Sequence, residues 1–535
     1  MARYYVVIFT TILLTPIMAL GLRGRIQPVP TRTATFVIAA SDATAKSKAQ
    51  ADYRCDGVAD EVQINLAIAA LLGVQDVNVP VSSDNATEVL KKNQGGKVYL
   101  SEGSFTLAAA IDLSGKNFVT LEGSGPSTII YQAGTSDENA IECINATDSV
   151  ASNYITLKEF IIVGNSSSGD GIHIEGIDFF RMSGVTSSEN GGNGFFMDRT
   201  QDANEGYDNT WVTDCFFHRN DANGITIDNC HDTNFQGCWS EENKGYGLSG
   251  DSLQEFYWTG GQIEDNGEFV GGTAGTDQVR LTNLIASNGF SNTRIEGNTS
   301  SDSYFYVTGN DGVLMISNTY IEDFYCKAGT GDLNLRISNV QGAYLYYMGN
   351  ADFHATNCRF SEADIVNGSR VTIEGGNWYW KSNRIIEGGV LVNILGGRHS
   401  GDGVVLVNAG ANSAALKVSD IILQCAMTID EDGRTGVRAQ VSNVMTTGDI
   451  TVRGAAAKTL AMAQITGVQT NGGSITVDQA DNLLFTDNMG IGTYTITVYD
   501  PNVGDILYDG NLFLGTVTDA AANTATWGTN VGIAN

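Results

Sequence analysis

Apolar and polar residues alternate along most of this chain, in short runs broken by Asn, Gly and Asp. Thr35 to Ala40 (TFVIAA) reads as the first strand. A helical pattern follows: Ile64, Ala67, Ile68 and Leu71 recur at 3.6-residue spacing, and Gly73 stops it. Asp60 precedes the pattern and Gln63 stands three residues on, the arrangement of a capping box. From Gly95 onward the period changes to two. Val98 and Leu100, Phe105 and Leu107, then Val119 and Leu121 define inward faces of successive strands.

The alternating segments repeat. Glu189 to Asp198 (ENGGNGFFMD) aligns with Arg219 to Asp228 (RNDANGITID) and with Glu242 to Asp251 (ENKGYGLSGD). The steps are 30 and 23 residues, with Gln201 to Asn209 as a loop insertion in the longer one. Gly169 to Glu175 is an earlier copy. Ile316-Ser317-Asn318, Ile337-Ser338-Asn339, Ala355-Thr356-Asn357, Val418-Ser419-Asp420 and Val441-Ser442-Asn443 continue the series, with Gly-Gly pairs at 375–376 and 396–397 between them. One such step cannot bury its own apolar face, but a stack can. Gly and Asn supply left-handed turn conformations between the strands. These features predict an all-β parallel β-helix, with Asn190, Asn220 and Asn243 stacked as an amide ladder and Val185, Cys215 and Cys238 stacked inside it.

Proline supports the same reading. Residues 127–500 contain none, and proline is confined to the edges and bulges of sheets. The predicted organisation is a signal peptide or N-terminal anchor over 1–21, an N-terminal cap with its helix and the first coils over 22–115, and the β-helix over 116–475. Beyond that the pattern loosens, and 476–535 is expected to form a small C-terminal β cap or oligomerisation module, because a solenoid must cover its open edge.

At 535 residues the chain is too long for one ordinary compact core, which favours several domains or a solenoid. The net charge of −30 excludes duplex nucleic acid as a partner and disfavours a uniformly anionic polysaccharide, unless Ca²⁺ or a local basic patch intervenes. The eight cysteines form no CxxC pair and no zinc pattern. Arg3, the apolar run Val6 to Leu20 and Ala19-Leu20-Gly21 resemble a secretory signal, which points to an extracellular or secreted protein. A docking segment of a virion-surface protein is the alternative.

Cys55 to Leu71, then Gly95-Gly96-Lys97-Val98-Tyr99-Leu100, then Val119 to Gly125 (VTLEGSG) carry a family resemblance. They resemble the opening of the rhamnogalacturonase/epimerase-like pectate lyases, a branch of the pectin-lyase-like superfamily that includes phage tailspike depolymerases. The match covers about 75 residues, and the later coils agree only in style. The resemblance implies a right-handed parallel β-helix that binds a polysaccharide or cell-surface glycan, as a homotrimer or other homo-oligomer, and cleaves it as a lyase or glycoside hydrolase. The Gly-His-Gly of polygalacturonases, the Asp-Pro-His-Glu of alginate epimerases and the paired arginines of pectate lyases are missing, so chemistry is not specified. A non-catalytic structural or receptor-binding fibre is the competing reading.

Two groups of residues are candidates for function. Glu175, Asp198, Asp228 and Asp251 end the same strand in successive copies, so stacking at about 4.8 Å places carboxylates about 5 or 10 Å apart. That range brackets glycosidase acid pairs, and crowded carboxylates either raise one another's pKa or share Ca²⁺. Asp170 and His173 join this region, with His173 outward as a general base. Trp378, Trp380, Lys381, Arg384 and Arg398 form a basic, aromatic stretch suited to stacking sugars and pairing with their anions. Strand alternation puts Trp378 and Trp380 on one face and Tyr379 on the other. The remaining histidines, His218, His231, His354 and His399, make no metal pattern.

Overall fold

A computed structural model describes residues 34–71, 77–80, 87–90, 95–133, 137–144, 152–199, 209–267, 278–296, 304–349, 351–380, 384–408, 415–430, 438–453, 462–478, 482–491, 506–514 and 525–527. Among them every registered strand pairing is parallel except the hairpin of Val77–Pro80 with Thr87–Leu90. Each strand bonds to its counterpart one coil later. Ile172–Glu175, Phe195–Asp198, Ile225–Asp228, Leu248–Asp251 and Val279–Leu284 follow one another in this way. The ladder starts earlier than the regular alternation does, since Ala34–Ala39 already pairs with Gly96–Leu100. The architecture is a parallel β-helix.

One corner of every coil is a single residue in the left-handed region. Asp214, Gly237, Gly260, Asn292, Asn318, Asn339, Asn357, Gly375, Gly396, Asp420, Asn443, Gly467, Asp487 and Gly510 all have φ between 49° and 71°. From Asp214 to Asp487 the amide of each donates to a carbonyl one coil on, as Asn318 N does to Ser338 O and Asn339 N to Thr356 O. Only Gly, and less readily Asn or Asp, holds this conformation cheaply, which accounts for the residue types that recur there.

A second corner is fixed by side chains. Asn190 Nδ2 donates to Asn220 Oδ1 (2.7 Å), Asn220 Nδ2 to Asn243 Oδ1 (2.8 Å) and Asn243 Nδ2 to Asn266 Oδ1 (2.8 Å). Gln278 extends the row by accepting from Asn266 Nδ2 at 2.8 Å. Each acceptor also takes the backbone amide of the preceding member, so every interior amide is satisfied without water. The expected ladder therefore forms and runs two members further. Its upper end is open: Asn190 Oδ1 is buried with no hydrogen-bond partner.

The interior is apolar throughout, with Val185, Cys215 and Cys238 buried as expected. Phe256, Phe290, Phe305 and Phe324 meet in sequence with ring centroids 5.8, 5.0 and 5.0 Å apart. The N-terminal end carries helix α1 (Ala45–Gln50) and helix α2 (Glu61–Ala70), the latter burying Ile64, Ala67 and Ile68. Asp60 precedes α2, but no capping box forms. Its amide donates to Thr106 O and its carboxylate accepts from Gly57 N and Thr106 N, so it ties the helix to a coil instead.

Ile506–Asp509 pairs in parallel with Leu483–Thr486, and Ala525–Trp527 with Ile506–Asp509, so the described strands within the expected C-terminal cap stack on the ladder as further coils. Alternation in Ile506-Leu507-Tyr508 suffices for another rung. One outward column here runs Ile422, Met445, Gln469, Met489, Leu512, and its four apolar members are exposed. The apolar run Val6 to Leu20, with the signal segment over 1–21, lies outside the described residues. Among the described residues no helix is long and apolar enough to cross a membrane.

Replacing Asn220 by Ala strands the buried amide of Asn190 and removes a donor from Asn243. A loss of about 2–4 kcal/mol is expected, read as an earlier thermal unfolding transition. Asn190→Ala, at the open end of the ladder, is expected to cost less; equal losses would show that the row acts by packing alone.

Candidate functional site

The strand register settles where the acidic residues lie. Glu175, Asp198, Asp228 and Asp251 occupy one column, each opposite the next. Two positions earlier on the same strands runs a second outward column: Glu142, His173, Phe196, Thr226, Ser249, Arg280, Tyr306, Tyr325, Tyr346 and Asp364. Core residues such as Ile174, Met197 and Ile227 separate the two columns on each strand and point inward.

His173 is held at both ring nitrogens. Nδ1 lies 2.7 Å from Asp170 Oδ2 and Nε2 lies 2.9 Å from Glu175 Oε1, while the ring stacks on Phe196 at 4.5 Å. Burial is the largest single influence on its pKa and pulls it down. The hydrogen bonds and charges of Asp170 and Glu175 together outweigh burial and hold it above the ordinary value. Only the doubly protonated ring satisfies both carboxylates. Both ring nitrogens are therefore engaged by carboxylates, and His173 ties Asp170 to Glu175. Asp170 is held further by Asn193, whose amide lies 2.6 Å and whose Nδ2 lies 2.9 Å from Oδ1.

Asp228 has the opposite environment. Burial first, then the neighbouring charges of Asp198 and Asp251, push its carboxyl up from 3.8 to about 6. Asp251 accepts from Ser252 Oγ (3.0 Å), Asn283 Nδ2 (2.8 Å) and the Thr282 hydroxyl. Asp198 accepts from Asn229 Nδ2 at 3.1 Å. The column thus sets a carboxyl that is largely protonated below about pH 6 one coil from carboxylates on either side. That is the juxtaposition acid-catalysed glycoside cleavage needs.

The second expected group divides. Trp378 and Trp380 are fully buried, stacked on each other at 5.7 Å, with their indole N–H groups bonded to Gly375 O and His399 Nδ1. They are core residues and present no ring to a ligand, because the alternation that exposes Tyr379 turns both inward. His399, beside them, is buried and pushed down to about 4. Lys381 lies outside the described residues; Arg384 begins the strand Arg384–Leu395, and only its backbone is described. Arg398 is exposed and lines a cleft of about 720 Å³ together with Arg359, Asn377, Tyr379, Ser400 and Gln424.

Two features escaped the sequence reading. One is the row Tyr306, Tyr325 and Tyr346, with Tyr325 to Tyr346 at 5.5 Å, Tyr325 to Tyr344 at 5.3 Å and Arg280 over the Tyr306 ring at 5.9 Å. The signal was an aromatic residue recurring at 19 and 21 residues, hidden by unequal loops. The other is Arg359, which sits two residues beyond its left-handed turn residue, as Arg398 does.

The fold defines a class: over the described residues the chain is a parallel β-helix. The family profile described as periplasmic copper-binding protein (NosD) matches residues 101–325, less than half of the chain. No curated protein matches the sequence. Among solved structures, ORF18 of Geobacillus virus E2 is similar at 16% identity and TM-score 0.32, over 70% of this chain and 58% of that one. This chain therefore spans less than two thirds of the viral protein. The A-module of the mannuronan C-5 epimerase AlgE6 from Azotobacter vinelandii is similar at 16% identity and TM-score 0.32, over 89% and 95%. The catalytic unit of a GH87 α-1,3-glucanase from Streptomyces thermodiastaticus is similar at 13% identity and TM-score 0.20, over 86% and 71%.

The residues present do not fit a copper centre. Among the described residues no three His, Cys, Asp or Glu side chains converge as a metal site. All eight cysteines are buried and unoxidised, and burial pushes the thiols of Cys55, Cys230, Cys326, Cys358 and Cys425 up, away from the ligating thiolate.

The His173 clamp has a sign that can be checked. With a raised folded-state pKa, its contribution to stability is fully present below 6.5 and is lost as pH rises through the folded value. Nitrogen NMR of the imidazole across a pH series is expected to give a titration midpoint above 6.5. The stability gap between native protein and His173→Gln should be widest at low pH; a gap that widens toward pH 9 would contradict the clamp.

Proposed function

We propose that the protein binds an extended polysaccharide along the outer face of the solenoid and cleaves it by acid-assisted glycoside hydrolysis. The observation that carries the reading is Asp228, a carboxyl raised to about 6 between Asp198 and Asp251 on the column that adjoins the outward tyrosines. A face that offers one side chain per coil suits a polymer better than a small ligand. Asp228 would protonate the leaving glycosidic oxygen, and Asp198 would act as the partner carboxylate. Adjacent coils lie about 4.8 Å apart, which matches the roughly 5–5.5 Å of retaining enzymes more closely than the wider inverting spacing. Tyr306, Tyr325 and Tyr346 would stack the sugars on one side of the cleavage point.

The reading is supported by the resemblance of the opening segment to tailspike depolymerases and by polysaccharide-acting proteins among the β-helices similar in fold. It includes an extracellular or virion-surface location. It also includes a homotrimer or other homo-oligomer, for which the exposed stripe of Ile422, Met445, Met489 and Leu512 offers a contact face. Bridging of carboxylates by Ca²⁺ has no supporting cluster among the described residues and is not part of the reading.

Asp228→Asn preserves shape and removes the proton donor. On a polysaccharide identified by reducing-end release across a panel, turnover is expected to fall by about 10²–10⁴, and native turnover should decline as pH rises above about 6. Product analysis is expected to show retained anomeric configuration. Undiminished turnover in the variant would remove Asp228 from the mechanism, and absence of any product from native protein would favour the non-catalytic fibre. Stability should move the other way. A raised acid contributes stability below 3.8 that is lost as pH rises through about 6, so the variant should exceed native protein by on the order of 1–2 kcal/mol at pH 8 and match it at pH 3.

A further inference from the structure

We infer that the cleft at Arg359, Tyr379 and Arg398 is a second binding site, taking a saccharide that carries carboxylate groups. It rests on the saccharide-binding reading and adds a substrate class to it. The cleft spans three coils on an outward column distinct from the acidic one. Arg359 stands opposite Asn377, and Asn377 opposite Arg398, so the two guanidinium groups project from positions two coils apart, about 10 Å. Two residues along the same strands, Ser361, Tyr379 and Ser400 form the adjoining row, and Tyr379 is 45% exposed.

Three exposed arginines elsewhere face carboxylates: Arg219 lies 2.6 Å from Glu242, Arg294 3.4 Å from Glu264 and Arg453 2.6 Å from Asp430. Among the described residues, neither Arg359 nor Arg398 forms an ion pair. Arg398 Nε donates instead to the neutral side chain of Gln424 at 2.8 Å, which fixes its direction without cancelling its charge. On a chain of net charge −30, the cleft thus brings together two cations without acidic partners. Their neighbours are neutral hydrogen-bonding groups from Ser361, Asn377, Ser400 and Gln424, with one exposed aromatic ring.

Each component matches a part of an acidic sugar chain. A guanidinium fork pairs with a planar carboxylate through two parallel hydrogen bonds. The Tyr379 ring offers an apolar face to a pyranose, and the amides and hydroxyls suit sugar hydroxyl groups. Two cations separated by two coils favour carboxylates on alternate sugars over a densely charged polymer, which the surrounding acidic surface would repel.

The test is calorimetric titration of full-length Asp228→Asn protein, so that bound chains are not consumed. The probes are hexasaccharides of oligogalacturonate, oligoglucuronan and hyaluronan, the carboxyl-reduced form of each, and a sulfated, uronate-free carrageenan oligosaccharide. At least one uronate probe is expected to bind, with affinity falling about tenfold or more on carboxyl reduction. Arg359→Gln with Arg398→Gln should cause a similar fall, and Tyr379→Ala should weaken the bound probe and its reduced form alike. These side chains are exposed, and unchanged thermal unfolding will confirm that the variants fold. Binding that survives carboxyl reduction, binding that survives the double arginine change, equal binding of carrageenan, or no binding of any uronate probe would each overturn the inference. Cleavage of a neutral polysaccharide alongside any of those results would leave the proposed hydrolysis standing and remove only this site.

Discussion

The structure depends on one backbone constraint: at one recurring corner of the coils a residue must enter the left-handed region so that its amide can reach a carbonyl one coil away. Asp214, Gly237, Gly260, Asn292 and Asn318 do this in succession, and the row continues to Gly510. Because a strand alternates its faces, fixing that corner fixes which side chains of the flanking strands point outward. A slip of one residue would turn Tyr379 inward and Trp378 and Trp380 outward. Loop insertions of different length are tolerated because they leave from other corners, while the column itself stays in step. The Asn190 to Gln278 ladder reinforces a second corner with hydrogen bonds that run along the solenoid axis.

The left-handed corners explain how much of this molecule could be read from its sequence. Ser-Asn at 317–318, 338–339 and 442–443, and Gly-Gly at 375–376 and 396–397, are direct records of the conformation, so the coil architecture was legible. The carboxylate column was legible for the same reason, since Glu175, Asp198, Asp228 and Asp251 sit at a fixed offset from shared Asn and Gly residues. Environments were not. His173 looked like a base because sequence shows that it is outward but not that Asp170 and Glu175 grip both nitrogens. Asp60 looked like a cap because the pattern does not reveal that Thr106 claims its amide. Tyr306, Tyr325 and Tyr346 align only after the merged strands around them are placed, and the C-terminal strands looked separate because their alternating runs are short.

Electrostatics then divides the outer surface by task. Stacking like-charged residues one coil apart is unfavourable, and the chain answers it in three ways. At His173 a half-buried imidazole sits between two carboxylates, which raise its pKa. At Asp251 hydroxyl and amide groups donate to the carboxyl. At Asp228 the remaining repulsion, added to burial, favours protonation. The arginine cleft, six coils further along, about 29 Å by coil spacing, carries the complementary sign. A polymer following the solenoid could engage both, which an enclosed pocket would not permit.

The central claim is that saccharide lies on the outer face, parallel to the solenoid axis, with the scissile bond at Asp228. A crystal structure of the Asp228→Asn variant soaked with an oligosaccharide of its identified polymer tests this most directly. The account predicts sugar rings over Tyr306 and Tyr325, with a glycosidic oxygen within hydrogen-bonding distance of residue 228. Sugar bound elsewhere, with the Asp198 to Asp251 column left in contact with solvent alone, would contradict it.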